Sequence, residues 1–256
     1  MVTGFESFRT HFQGYEDCYT IIGGTACDIL MDEAALPFRT TRDIDMILLI
    51  ENRFEKFTPI FWDYVKSGGY KCGWRNSEIP HFYRFSEPQV PNYPKMIELF
   101  SKRPDFQMEH PEIYLTPLPV SEDISSLSAI MLNDDYYQLM LAGRRAVDGI
   151  SVLSAEYLIA FKAKAWLDLT ARKAAGEHVN DRDLKKHKND VFRLFRIVDP
   201  RARIAVSPSI ADDLTQFISA MIHEAIDLRA IGVEGITVPE ILTSLRKIFL
   251  LDGTVL

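Results

Sequence analysis

Asp43-Ile44-Asp45-Met46-Ile47-Leu48-Leu49-Ile50 opens on two acids and then runs almost wholly apolar. A run of this kind reads as a buried strand. Residues two apart in a strand point the same way, so Asp43 and Asp45 set two carboxylates side by side. Taken alone, Asp-x-Asp decorates many strand ends. The flanks add weight. About 20 residues upstream, the β-prone run Tyr19-Thr20-Ile21-Ile22 meets Gly23-Gly24-Thr25, followed by helical composition from Ala26 to Ala35. Backbone N–H groups at such a turn and helix start can cradle phosphate, and glycine removes the Cβ that would block close approach. Arg39, Thr40, Thr41 and Arg42 bring cationic and polar groups up to the acids. Downstream, Lys95 to Ser101 reads as a short strand between Pro94 and Pro104, and it carries a third acid, Glu98. Adjacent carboxylates repel and are costly to desolvate unless a cation lies between them. Hard oxygen donors of this type suit Mg²⁺ or Mn²⁺.

Working outward, Phe54 to Ser67 has helical spacing, with Phe57, Ile60, Phe61 and Tyr64 at intervals of three and four. Pro104 to Pro119 reads as loop with one strand. Tyr136–Leu141 and Gly149–Leu153 read as a hairpin-like pair, with Gly143 and Asp148-Gly149 as turn signals. Four helices are then expected. The first runs from an N-cap at Ser154 to about Ala175, and the second from Asp181 to Val198. The third opens at Ser207-Pro208, and the fourth at the capping-box pair Thr237 and Glu240. The expected architecture is α+β: residues 1–135 form a mixed sheet with flanking helices, and 136–256 form a mainly helical domain with an initial strand pair. The aromatic stretch Trp74 to Tyr93 is expected to pack over the sheet.

The 256 residues are 47% apolar and 25% charged, which excludes a disordered chain, and no stretch reaches the length that spans a bilayer. Met1 to Thr10 has no basic segment followed by an apolar run, so a cytoplasmic location is the expectation. Cys18, Cys27 and Cys72 fit neither a disulfide framework nor a zinc pattern and are expected to be buried thiols. His11, His81, His110, His178, His187 and His223 show no metal-ligand spacing. The net charge of −7 argues against a surface coated for nucleic acid, but the charge is divided. Ala142 to Arg203 holds 14 Lys+Arg and 8 Asp+Glu, whereas the remainder holds 15 and 28. On the first long helix, Lys162 falls within the apolar stripe of Leu158, Ala165 and Leu169. A lysine there either snorkels out or is aimed at an anion. On the next, Lys188 lies within the stripe of Leu184, Val191 and Leu194, and Asp190 lies at its border.

The order Gly-Gly-Thr, then Thr-Arg-Asp-Ile-Asp, then a strand-borne third acid resembles the nucleotidyltransferase superfamily built on the DNA polymerase β-type palm. More specifically it resembles the AbiEii-type abortive-infection toxins, over roughly Thr20 to Phe195. The resemblance implies a palm followed by a helical domain. Gly23, Gly24, Thr25 and Arg42 would hold the triphosphate, and Asp43, Asp45 and Glu98 would hold Mg²⁺ or Mn²⁺. It places the family's lysine on Lys162. The family's second-helix pair falls on Lys188 and Asp190, favoured by their place on the helical wheel, with Arg182 and Asp183 as the alternative. Thr25 stands where Ser is commoner, and Glu98 where Asp is more usual.

The expected function is metal-dependent transfer of NMP from an NTP to an RNA, tRNA or protein acceptor, with release of pyrophosphate. Asp43, Asp45, Glu98 and Lys162 would be the catalytic residues. The family implies a toxin partnered by an antitoxin. The competing expectation is a non-catalytic nucleotide- or RNA-binding module that keeps the palm.

Overall fold

In the computed structural model, residues 2–49, 54–75, 82–100, 116–118 and 133–251 are described. The chain divides into two compact units: Met1–Ser121 with Arg144–Ser154, and Glu122–Gly143 with Ala155–Leu256. The first is α+β, and every described element of the second is a helix.

The first unit is built on a mixed sheet. Its strands are β1 (Tyr19–Ile22), β2 (Asp43–Leu48), β3 (Lys71–Arg75), β4 (Phe82–Ser86), β5 (Met96–Phe100), β6 (Thr116–Leu118), β7 (Arg144–Val147) and β8 (Ile150–Leu153). They lie in the order β6-β3-β4-β5-β2-β1-β8-β7. The strands central to the site are β1, antiparallel to β2, and β5, parallel to β2. All four residues of β1 are buried, as expected for a strand with neighbours on both edges and layers on both faces. Helices α1 (Phe5–His11), α2 (Gly23–Glu33) and α3 (Phe54–Gly68) complete the unit. Phe8, Phe12, Tyr19, Phe57, Phe61 and Tyr64 form a fully buried aromatic cluster between α1, α3 and β1. The amphipathic spacing of 54–67 thus becomes α3, as expected.

Two expectations are corrected. Tyr136–Leu141 is not a strand but part of helix α4 (Asp134–Gly143). Asn133 starts it by accepting N–H bonds from Asp135 and Tyr136 on its side-chain oxygen, and two acids occupy the first turn, where the helix dipole favours them. Gly143 ends it, where a Cβ would come within 2.2 Å of the Tyr157 ring. The hairpin is instead β7 with β8 around Asp148-Gly149, both at positive φ as a two-residue turn requires, and it belongs to the first unit's sheet rather than to the helical unit. The second correction concerns the aromatic stretch. Tyr83 and Phe85 do not lie over the sheet. They belong to β4, buried on one of its faces. His81 of that stretch falls outside the described residues, as do Ile50, Ser101 and most of 104–119.

The helical unit also contains α5 (Ala155–Ala174), α6 (Asp181–Phe195), α7 (Pro208–Met221) and α8 (Val238–Ile248). Ser207 caps α7, and Thr237 with Glu240 forms the expected capping box on α8. Among the described residues, no helix is long and apolar enough to cross a membrane.

Arg144 stitches the hairpin to the start of β1. Its Nε donates to Thr20 Oγ1 at 2.7 Å and its Nη2 to the Glu16 carbonyl at 3.1 Å and the Tyr19 carbonyl at 3.4 Å. Arg144→Leu removes the donor from several partly buried acceptors. It should lower stability by about 2 kcal/mol, read as a lower urea midpoint at unchanged slope.

Candidate active site

Three strands and one helix start converge on the acids. β1 passes directly into α2 with no intervening loop, and the turn falls on Gly23 at φ +68°, a conformation that L side chains rarely adopt. Ile22 is the register partner of Asp45. A Cβ on Gly23 would lie 1.7 Å from Asp45 Oδ2, so the Asp45 carboxylate occupies the space that any other residue would fill. A Cβ on Gly24 would lie 2.9 Å from Thr41 Oγ1 and 3.3 Å from Arg39 Nη2. Gly23 is required by its backbone conformation and by the Asp45 carboxylate against it, whereas at Gly24 the Thr41 and Arg39 side chains close in more loosely. Thr25 is buried, and its hydroxyl donates to the Asp43 carbonyl, tying the first turn of α2 to the first residue of β2. The N-cap Ile22 supplies no side-chain acceptor for the first-turn N–H groups.

Across the other edge of β2, Asp45 is the register partner of Glu98 on β5. Asp43 and Asp45 are half-buried, and Glu98 is buried at 7% exposure. Burial pushes the Glu98 carboxyl well above the usual carboxylate range, helped by the Asp45 and Asp43 charges and a side-chain hydrogen bond with Asp45, while Arg84 opposes the rise. Arg84 lies opposite Glu98 on antiparallel β4 and donates to Glu98 Oε1 from Nε at 2.9 Å and from Nη2 at 2.7 Å. Sequence reasoning missed Arg84. Its signal was a lone cation alternating with Tyr83 and Phe85, which marks the opposite face of a strand. Arg42 is exposed beside the acids. A cavity of about 650 Å³ opens at Asp43, walled by the β4–β5 connection with Pro88, Val90, Tyr93 and Lys95.

Among the described residues, no three His, Cys, Asp or Glu side chains already surround one point as metal ligands do. The donor chemistry nevertheless fits a hard cation. Three carboxylates crowd together, burial and the two aspartate charges raise the Glu98 carboxyl, and a divalent ion would relieve that cost.

In the helical unit, Lys162 on α5 and Asp190 on α6 meet: Nζ lies 3.2 Å from Oδ2, with the side chains 4% and 0% exposed. Arg193 Nη1 approaches the other oxygen of Asp190 at 3.1 Å. Lys188 does not join them. Its ammonium donates to Glu224 Oε2 at 2.5 Å and reaches the Ala225 carbonyl at 3.4 Å. The residues expected to work as the pair Lys188 and Asp190 thus have different partners. Arg182, of the alternative pair, is exposed in the first turn of α6, and Asp183 is half-buried. Cys18 and Cys27 are buried free thiols, and Cys72 is half-buried, its thiol pushed up to about 12 by burial.

No known family model matches the chain, and no curated protein does. Among solved structures it is similar to the crystal structure of an antigenic nucleotidyltransferase-like protein from Paracoccidioides brasiliensis. The identity is 16%, the coverage 83% of each chain, and the TM-score 0.43. A likeness at that level assigns no family.

Two measurements follow from this geometry. The raised folded value of Glu98 means that the native protein keeps a proton the unfolded chain releases. The stability this contributes is complete below the ordinary value of 4.5 and is lost as pH rises through the folded value. In EDTA, wild-type unfolding free energy should therefore fall with rising pH above that range, and Glu98→Gln should lack this component of the slope. In the helical unit, Lys162→Met leaves a buried carboxylate short of a partner and should cost about 3 kcal/mol in chemical denaturation. Lys188→Met, at a partly exposed pair, should cost about 1 kcal/mol or less.

Proposed function

We propose that the protein is a metal-dependent nucleotidyltransferase that moves an NMP from an NTP to an acceptor hydroxyl. The observation that carries this reading is the Asp45–Glu98 pair on parallel strands, with Asp43 two residues away and the Gly23-Gly24 helix start packed against Asp45. Crowded carboxylates beside first-turn N–H groups combine a cation-binding element with an anion-binding one.

Asp43, Asp45 and Glu98 would hold Mg²⁺ or Mn²⁺, the two half-buried aspartates turning toward Glu98. The bound ion supplies charge neutralisation at the triphosphate and lowers the pKa of the acceptor hydroxyl. The chain's own groups do the rest. The start of α2 receives phosphate oxygens on backbone N–H groups, with Arg39 beside Gly24 and exposed Arg42 adding positive charge. Thr25 holds this helix start against β2, and Arg84 fixes the rotamer of Glu98 by occupying one of its oxygens. The cavity at Asp43 offers room for substrate. The acceptor hydroxyl oxygen bonds the α-phosphorus, the bond to the β-phosphate oxygen breaks, and pyrophosphate leaves while the hydroxyl proton passes to solvent. Lys162, its ammonium engaged by Asp190, contributes through the α5–α6 packing that it secures.

The acceptor class is RNA, with a tRNA end as the specific form, or a protein side chain. The role as a toxin with a cognate antitoxin rests on the AbiEii-type resemblance of the motifs. One observation favours the second reading, a nucleotide- or RNA-binding module without turnover: the engagement of Lys162 and Lys188 by acids withdraws two cations from phosphate neutralisation.

Incubation with each labelled NTP, Mg²⁺ or Mn²⁺ and total RNA should transfer label and release pyrophosphate. Asp43→Asn and Asp45→Asn should each reduce transfer at least about a hundredfold, comparable to loss of a principal electrostatic contact in other active sites. NTP binding without pyrophosphate release would select the non-catalytic module. Undiminished transfer by both variants would remove the acids from the reaction.

A further inference from the structure

Glu98 does not enter the acid site with both oxygens available. Arg84 stands opposite it on antiparallel β4, and both Nε, at 2.9 Å, and Nη2, at 2.7 Å, donate to the same oxygen, Oε1. Charge-assisted hydrogen bonds of this kind are among the stronger contacts open to a side chain. The arginine is firmly placed. Its side chain is 19% exposed and that of Glu98 9%. Its strand neighbours Tyr83 and Phe85 are buried on the opposite face of β4, where the Phe85 ring lies edge-on to Phe61 of α3 at 5.2 Å. On the far side of Glu98 stands Asp45, whose carboxylate fills the space that Gly23 leaves. Glu98 is thus gripped between a fixed cation and a fixed acid.

That grip bears on the kind of ion the acids can take. A carboxylate can hold a cation through one oxygen or chelate it with both. Ca²⁺ takes roughly six to eight oxygen ligands in flexible geometry and accepts chelating carboxylates, whereas Mg²⁺ demands a near-ideal octahedron. With Oε1 held by Arg84, chelation by Glu98 would require breaking both of the arginine's bonds. Coordination through the other oxygen would leave them in place.

We propose that Arg84 determines the metal specificity of the acid site: by holding Oε1 it confines Glu98 to single-oxygen coordination and disfavours Ca²⁺ relative to Mg²⁺. The proposal rests on reading Asp43, Asp45 and Glu98 as a metal centre, and it adds which ions that centre admits. In this role Arg84 is a positioning residue, acting on the ion only through Glu98.

The test is displacement of Mn²⁺ from the full chain by Mg²⁺ and by Ca²⁺, at one pH and without nucleotide, followed by the electron paramagnetic resonance of free Mn²⁺. The quantity read is the ratio of the Ca²⁺ to the Mg²⁺ affinity. Loss of the Arg84 charge acts alike on two ions of equal charge, so it cancels in this ratio. Arg84→Met should shift the ratio about tenfold toward Ca²⁺, the usual scale for a partner that orients a metal ligand. Adding Glu98→Gln to Arg84→Met should abolish the shift, because an amide has a single acceptor oxygen and cannot chelate. Arg84→Lys keeps the charge but loses the fork, and it should shift the ratio in the same direction by less. An unchanged ratio in Arg84→Met, or in Arg84→Lys if that variant alone folds, would overturn the proposal while leaving the metal centre standing. So would a shift that persists with Glu98→Gln. Asp45→Asn should weaken Mn²⁺ binding at least about tenfold. Mn²⁺ affinity unaffected by that change would place the ion elsewhere and overturn the metal reading together with the specificity drawn from it.

Discussion

Asp45 and Glu98 face each other across two parallel strands, and much of the first unit is arranged around the cost of that contact. Burial, and then the Asp45 charge, push the Glu98 carboxyl well above the usual carboxylate range. The neighbouring residues answer the same problem. Arg84 stands in register opposite Glu98 and holds one of its oxygens. Gly23 leaves the space that the Asp45 carboxylate fills. Thr25 ties the helix start to the Asp43 backbone. This crowding of negative charge is the physical basis on which we propose a metal centre next to a phosphate cradle.

The basic surplus of the later segment takes on a different meaning once its partners are known. Lys162 is neutralised by Asp190, Lys164 lies near Asp168 and Asp213, Lys188 is held by Glu224, and Arg145 pairs with Glu33. Arg144 spends its donors on side-chain and backbone oxygens around β1. Several of these cations build structure rather than present charge. The surplus counted along the chain therefore overstates the positive surface.

Much of the fold was legible because it rests on local rules. The apolar run after Asp43 became β2, the three-and-four spacing of 54–67 became α3, and the caps at Ser207 and Thr237 began helices as such caps do. The failures share a cause. Tyr136–Leu141 looked strand-like because aromatic residues suit strands, but the cap at Asn133 and two acids in the first turn outweighed that preference. β3 and β4 were missed because neither carries a long apolar run, and their identity comes from pairing with β5 and β6.

The sequence by itself determined that two carboxylates stand on one face of a strand behind a glycine turn, because strand periodicity and glycine's backbone freedom are local properties. It also marked Glu98 as a third acid on a nearby strand. Only the tertiary structure decided that Glu98 lies beside Asp45, that Arg84 holds it, and that Lys162 belongs to Asp190 and Lys188 to Glu224. Those are facts of strand register and helix packing between residues far apart in the chain, and no local pattern encodes which distant charge a side chain will meet.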